Sequence, residues 1–352
     1  MKLCLVGSSA SIHLRRWAEH FSKDNEVLVI SDAPDQIPGV RVEQVFVAKA
    51  GVRNLARVRR MRRIVREFQP DIVHGHYLTV GGLYAALSGG RRIVASAWGS
   101  DVYYGPRRSI VERGILWYVL RHCDLVFSMT KDMNDRIREA GYGGDIAMFR
   151  FGVDPAVFRK TAPHGTDEFR VLDIRPCSKI YNPLVVVEAF RSLAPQMPRA
   201  YLYLSDYGEM IEKVRAAVDQ DPLLKQHTRF VPKRPHQEMV DVYNNADIAI
   251  SVASSDGFPS SVLEALACEL PVIGSSIPPI RECIKDGVDG YLTEIDPSVL
   301  ADKIRKSFSL RTMLATMGRR AREMILDPAN QFTFESNIKV AEEAYEKLLA
   351  SP

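Results

Sequence analysis

The chain has 352 residues, of which 46% are apolar and 26% charged. At roughly 150 residues per domain it is long enough for two domains, and a composition this near the globular average excludes disorder, collagen and coiled coil. The net charge of +4 is too small to mark the whole chain as a nucleic-acid binder. Residues 3–6 read as a first strand that stops at the turn Gly7-Ser8-Ser9, an apolar run too short for a secretion signal. A helix follows over 12–21, then strands over 27–30 and 45–47, a helix over 52–68, and strands over 72–74, 93–95 and 125–127. The pattern restarts after a polar seam that includes Phe151-Gly152-Val153-Asp154-Pro155 and residues 160–168. Strands are expected over 169–172, 200–204, 229–231, 247–251 and 271–273, with a helix over 184–193, and a long helix closes the chain over 332–349.

This βαβα order predicts an α/β protein of two Rossmann-like domains, each with a parallel sheet, facing a central cleft. The expected divisions are 1–160, 161–330 and a C-terminal helix, 331–352, that crosses back toward the first domain. Five scattered cysteines (Cys4, Cys123, Cys177, Cys268, Cys283) form no CxxC pair, which argues against a disulfide framework or zinc site and for a reducing compartment. No apolar run approaches the ~18 residues of a membrane span. A cytoplasmic protein is the expectation.

The most informative stretch runs from Ala253 to Ala267. A strand ends, a loop with Gly257, Phe258 and Pro259 follows, and a helix begins near Ser260 and Ser261. Backbone N–H groups at such a loop and helix start suit a phosphate. Asp256 and Glu264 flank it, and carboxylates there accept hydrogen bonds from hydroxyls, such as those of a ribose and a sugar. The competing local reading is a capping box of Ser261 and Glu264, which leaves Asp256, Gly257 and Pro259 without a role.

Asp256 to Glu264 resembles the E-x7-E motif of the retaining glycosyltransferases of family 4, which have the GT-B fold. Glu264-Ala265-Leu266-Ala267-Cys268-Glu269-Leu270-Pro271-Val272-Ile273 is similar to the run that follows it in that family, as are Pro279-Ile280-Arg281-Glu282 and residues 286–292. Asp71-Ile72-Val73-His74-Gly75-His76 and Phe151-Gly152-Val153-Asp154 resemble first-domain elements. The resemblance implies a retaining, metal-independent transfer of a sugar from a nucleotide-diphosphate donor, UDP- or GDP-linked, to a hydroxyl acceptor. That acceptor would be a lipid-linked or soluble glycan in cell-surface polysaccharide or glycolipid synthesis. The nucleotide sugar is a co-substrate, and no cofactor and no metal is implied.

The same resemblance places Glu264 on the donor ribose and Asp256, where the family usually has a glutamate, facing the donor sugar. Gly257, Phe258, Pro259, Ser260 and Ser261 would line the donor. Arg175 and Lys179, in the loop after the first strand of the second domain, would neutralise the diphosphate, and Arg234 would lie near the base. On the acceptor side stand Asp101 and Trp98 (the latter where many relatives carry a histidine), with Ser8, Ser9, His13 and His76. Two readings stay open beside this one: a sugar-nucleotide epimerase of the same fold, and a non-catalytic partner subunit, prompted by Asp256 and Trp98. The absence of GxGxxG at Gly7 disfavours a dinucleotide oxidoreductase. Asp219-Gln220-Asp221 is a literal DxD, but it abuts Pro222 at a helix end with no strand before it, and reads as surface. His74 and His76, two apart, lack an evident third metal ligand.

Residues 41–70 hold nine basic side chains against Glu43 and Glu67, so the charge of the chain is concentrated there. Leu55, Val58, Met61, Val65 and Phe68 fall at helical spacing and should face the sheet, leaving arginines outward. Helix 52–68 could dock on an anionic membrane surface, making the protein peripheral on the inner face of the cell membrane, or meet an anionic soluble acceptor, or be a solvated face.

Overall fold

The computed structural model describes residues 1–45, 55–104, 109–161 and 165–351. Contacts group the chain into two units, Met1–Arg150 with Ile338–Pro352, and Phe151–Asn337. Each is a parallel sheet with flanking helices.

In the first unit the strands are β1 (Lys2–Gly7), β2 (Glu26–Ser31), β3 (Arg41–Gln44), β4 (Ile72–His76), β5 (Ile93–Ser96), β6 (Leu125–Ser128) and β7 (Asp145–Met148), ordered β3-β2-β1-β4-β5-β6-β7. Leu3, Cys4, Leu5 and Val6 are all buried because a parallel sheet is covered on both faces, so its strands read as continuous apolar runs. Cys4 pairs beside Leu28 on one side and Val73 on the other. One face meets the helix Leu55–Phe68 through Met61, Ile64, Val65 and Phe68, which join Cys4, Val6, Leu28 and Val73 in one core. Side chains alternate along a strand, so His74 points to the other face. There Trp17, from the helix Ile12–Phe21, and Tyr345, from the helix Phe334–Ala350, pack around it.

In the second unit the strands are β8 (Phe169–Asp173), β9 (Ala200–Ser205), β10 (Thr228–Val231), β11 (Ile248–Ser251), β12 (Val272–Ser275) and β13 (Tyr291–Thr293), ordered β10-β9-β8-β11-β12-β13. Phe169, Val171, Phe190, Leu202, Ile250 and Ile273 lie in its core. In both sheets the strand order reverses once, at β1 beside β4 and at β8 beside β11. Loops leaving the carboxyl ends of such paired strands diverge and leave room for a ligand.

The expected strand over 45–47 is displaced: β3 ends at Gln44, and residues 46 and 47 lie outside the described ones, as do 52–54 of the expected helix. Leu55, expected to face the sheet, is 63% exposed. It begins the described helix, and the buried stripe is completed by Ile64 instead. Strands β7 and β13 have no counterpart among the expected elements. They are edge strands of four and three residues, too short to carry a periodic signal. Residues of the seam side with the second unit: Val153 bridges Thr333, and Arg322 donates to the carbonyls of Pro155 and Phe158. From Ile338 onward the last helix sides with the first unit. Asp219 ends the helix Ile211–Asp219, and Asp221 caps the next by accepting from the N–H groups of Leu223 and Leu224. No helix among the described residues is long and apolar enough to cross a membrane.

Candidate functional site

In the second unit the loops after β8 and β11 are tied together. Asn182 takes the left-handed conformation, φ 50°, just before Pro183 opens the helix Pro183–Leu193. From there its side-chain amide donates to the Val252 carbonyl and to Ser254 Oγ, both at 2.8 Å. Ser254 N–H donates to the Ile180 carbonyl at 2.8 Å. These bonds bring Arg175 against the stretch from Asp256 to Ser261.

Arg175 is only 7% exposed. Its Nη2 meets Asp256 Oδ2 at 2.5 Å, its Nη1 donates to Ser261 Oγ at 2.7 Å, and its guanidinium lies 4.0 Å from the centre of the Tyr181 ring. Burial works against its charge, but Asp256, Tyr181 and Asp173 outweigh that and hold its pKa above the ordinary arginine value. Beneath it, buried Asp173 accepts from the Arg175 N–H at 3.2 Å. Burial pushes that carboxyl up to about 7, with the N–H bond and the guanidinium pulling the other way. Two residues expected on the donor, Arg175 and Asp256, are therefore each other's partners. The pair fixes the guanidinium fork, the geometry that matches phosphate oxygens. Lys179 begins the single turn Lys179–Tyr181 on the same loop. It is exposed, and its N–H donates to Glu209 Oε1 at 3.0 Å.

Glu264 sits in the helix Ser260–Ala267 and is 8% exposed. Its Oε2 accepts from the Tyr243 hydroxyl at 2.8 Å, and its Oε1 lies 2.7 Å from His236 Nε2. Burial and then the Glu264 charge push the Tyr243 hydroxyl well above its ordinary pKa, so it stays a donor. The capping box is overturned: Pro259 holds the cap position with no side-chain cap bond, Ser261 serves Arg175, and Glu264 is turned to Tyr243 and His236. Each carboxylate oxygen has two lone pairs, so both still have one acceptor position for a hydroxyl. Phe258 is buried and packs near Phe332, ring centres 6.1 Å apart. Gly257 and Ser260 are partly exposed. Arg234 is exposed, 3.9 Å from Glu238, and lines a separate hollow with Arg170 and Tyr203. Among the described residues it forms no ion pair with Asp256 or Glu264.

Tyr181, Asn182, His236 and Tyr243 escaped the sequence reading. Only Asn182 carried a local signal, the Asn-Pro pair that marks a turn before a helix. Tyr243 and His236 reach Glu264 across the fold from the segment before β11.

The first unit presents a different chemistry at its own strand reversal. His74 is fully buried, with Nδ1 2.6 Å from the Tyr345 hydroxyl and Nε2 2.7 Å from Ser96 Oγ. The Trp17 indole can only donate, and it donates to the same Tyr345 oxygen at 3.2 Å. Both ring nitrogens of His74 are thus engaged by hydroxyl groups, which can donate or accept. His76 stacks on His74 with ring centres 4.5 Å apart and is 4% exposed. Neither ring nitrogen of His76 has a hydrogen-bond partner among the described residues. Burial, then the nearby His13, lowers its pKa to about 3, and burial with His76 lowers that of His74, so both are neutral at physiological pH. Trp98 stacks on Tyr77 at 5.6 Å and meets His13 edge-on at 4.9 Å. Asp101 is buried, and its carboxylate accepts from the N–H groups of Leu78, Trp98 and Gly99 at 2.8, 3.0 and 2.9 Å. Burial raises its pKa and those N–H groups oppose the rise. Its carboxylate thus shapes the loop that carries Trp98. Ser9 is likewise occupied, its N–H donating to Ser31 Oγ and its hydroxyl to the Ala33 carbonyl, while Ser8 accepts from Ser11 N–H through its carbonyl.

Comparison with known proteins covers both units. Residues 2–130 match the family described as "Glycosyl transferase 4-like", and residues 157–324 the family described as "Glycosyl transferases group 1". The chain is 24% identical over 329 residues to N-acetyl-alpha-D-glucosaminyl L-malate synthase of Bacillus anthracis, covering 88% of this chain and 83% of that one. It is 25% identical over 269 residues to a D-inositol 3-phosphate glycosyltransferase of Catenulispora acidiphila, covering 67% and 63%. Among solved structures, the fold is similar to sucrose-phosphate synthase from Thermosynechococcus elongatus, with TM-score 0.83, 17% identity and all of both chains covered. It is also similar to Anabaena HepE solved with UDP and glucose, with TM-score 0.79, 18% identity and 98% and 100% covered.

Proposed function

We propose a reaction for this chain from one premise: it belongs to the glycosyltransferases of family 4, with the GT-B fold. The reaction is retaining, metal-independent transfer of a sugar from a nucleoside diphosphate to a hydroxyl. The observation that carries the donor side is the Arg175 fork, held by Asp256 and Ser261 over Tyr181. A leaving nucleoside diphosphate gains charge in the transition state, and a preset cation in a buried setting stabilises that charge without reorganising. Lys179, at the surface of the same loop, adds a second cation. Glu264 receives the ribose hydroxyls on its remaining lone pairs, and Asp256 orients the sugar. The UDP held by the Anabaena neighbour supports a UDP-linked donor.

In this reading the bond from the sugar's anomeric carbon to the diphosphate oxygen breaks. The acceptor oxygen bonds that carbon on the same face, and the acceptor proton passes to the departing phosphate. The protein contributes position and charge. The acceptor side belongs to the first unit, where neutral His76 and the aromatic ring of Trp98 suit an uncharged hydroxyl-bearing sugar. The test is calorimetric titration with UDP, GDP and their hexose conjugates, then transfer assays with the best donor and NMR of the product anomer. Glu264→Ala should abolish donor binding, and EDTA should leave turnover unchanged. An inverted product, or unchanged affinity in Glu264→Ala, overturns the reading.

A further inference from the structure

The arginines that crowd residues 55–68 do not all face open solvent. Arg62 and Arg66, in the second half of that helix, line a groove of about 990 Å³ together with Arg91, Arg92, Gly89 and Asp71. The groove lies where strands of the first unit begin, since Asp71 immediately precedes β4 and Arg92 immediately precedes β5. It is thus at the end of that sheet opposite His76, and it shares no residue with the Arg175 loop.

Two of the four guanidiniums are anchored. Arg62 Nε donates to the Leu87 carbonyl at 2.8 Å, and Arg92 donates to the Ser351 carbonyl. Carbonyl partners orient a guanidinium without cancelling its charge. Arg66 and Arg91 are exposed and form no ion pair among the described residues. Among the described residues that line the groove, Asp71 is the one acid, and it accepts the Lys2 N–H at 2.7 Å, so one carboxylate there stands against four guanidiniums. The carbonyl end of the helix works against an anion there, but Lys2 Nζ already donates to the Phe68 carbonyl at 3.4 Å. Gly89, at φ 78°, has open space where a Cβ would stand, which lets a ligand approach the backbone closely.

We propose that this groove binds a phosphate-bearing anion. Several guanidinium forks converging in one concave wall suit an anion with more than one charged oxygen, such as a diphosphate or bisphosphate. The concave wall also focuses the field of the four charges on one place, which a flat basic surface does not. Such an anion is either a free phosphate compound or the phosphate of a lipid headgroup, and the two arms of the test separate them.

The test is calorimetric titration of the full chain with inorganic pyrophosphate, on the wild type, on Arg175→Ala, and on Arg175→Ala combined with Arg66→Glu and Arg91→Glu. Pyrophosphate also suits the Arg175 loop, so binding that survives Arg175→Ala and weakens when Arg66 and Arg91 are reversed reports the groove, and this outcome stands apart from the fate of the proposed reaction. That binding should weaken at least about tenfold when both groove charges are reversed. In parallel, vesicles of phosphatidylcholine with and without phosphatidylglycerol are cosedimented with the same proteins. Anionic vesicles that bind, are displaced by pyrophosphate and are lost in the charge-reversed protein place a headgroup phosphate in the groove. If charge reversal prevents folding, Arg66→Gln with Arg91→Gln replaces it, read against the same circular-dichroism melt. The proposal fails if neither probe binds Arg175→Ala, or if binding is unchanged without the two arginines.

Discussion

The two units solve the same folding problem and then diverge at the same place. Both are parallel sheets whose strand order reverses once, and both gather their chemistry at that reversal. In the second unit the gathered groups are charged: Arg175 against Asp256, with Glu264 beside Tyr243 and His236. In the first they are mostly uncharged rings: His74 held by Tyr345 and Ser96, His76 stacked on it, and Trp98 on Tyr77, with the Asp101 carboxylate turned to backbone N–H groups. A parallel sheet supplies position but not polarity. The difference lies in what is brought to the strand ends: in the second unit the stretches after β8 and β11 carry Arg175, Asp256 and Glu264, while in the first the last helix of the chain sets Tyr345 against His74.

The largest break in this comparison should come from Arg175→Ala. Removing a preset charge donor from a leaving group costs about 10²–10³ in transfer rate, measured as kcat/KM for the best donor, while the first unit's stability stays unchanged. All three tryptophans (Trp17, Trp98 and Trp117) lie in the first unit, so tryptophan fluorescence follows that unit alone during urea unfolding. By that measure Asp101→Ala should cost about 3 kcal/mol, because it strands three backbone N–H groups in a buried loop. Tyr345→Phe should cost about 2 kcal/mol, since it strands the Trp17 indole and leaves His74 Nδ1 without its hydroxyl partner. A Tyr345→Phe protein as stable as wild type would sink the idea that the last helix holds Trp17 and His74 through its hydroxyl.

The smallest effect sharpens the comparison through pH. Asp173 is raised to about 7 in the folded second unit. Its contribution to stability is therefore full below the unfolded value near 4 and is lost as pH rises through 7. His76, lowered to about 3, and His74 have the opposite sign. Their contribution is full above about 6.5 and is lost as pH falls toward 3. Between pH 4.5 and 6.5 the two units should drift in opposite directions, by at most about 1.4 kcal/mol per pH unit for each group. Urea midpoints from tryptophan fluorescence for the first unit, and from far-ultraviolet circular dichroism for the remainder, check this. Asp173→Asn should flatten the second trend, and His76→Gln should reduce the first.

Much of the scaffold was legible. Apolar runs such as Leu3 to Val6 announced buried parallel strands, and the loop of Gly257 and Pro259 announced a turn into a helix. Arg175, Asp256 and Glu264 were legible as chemistry, because a basic loop residue and two flanking acids are local patterns. Their partnerships were not. Ser261 and Glu264 have capping-box spacing, and only the fold shows Ser261 given to Arg175 and Glu264 to Tyr243. Asp101 reads from sequence as a loop acid facing a ligand, yet three N–H groups hold it inward.

What the sequence by itself determined is the alternation of strand and helix, the two sheets, and which residue types stand at the strand ends. Those follow from hydrophobic period and turn chemistry, which act over a few residues. What only the tertiary structure decided is which of those side chains meet. Tyr345 reaches His74 from 271 residues away, and Arg175 reaches Asp256 from 81. Contacts of that separation are set by how whole elements pack, so which side chains become partners in either site could not be read along the chain.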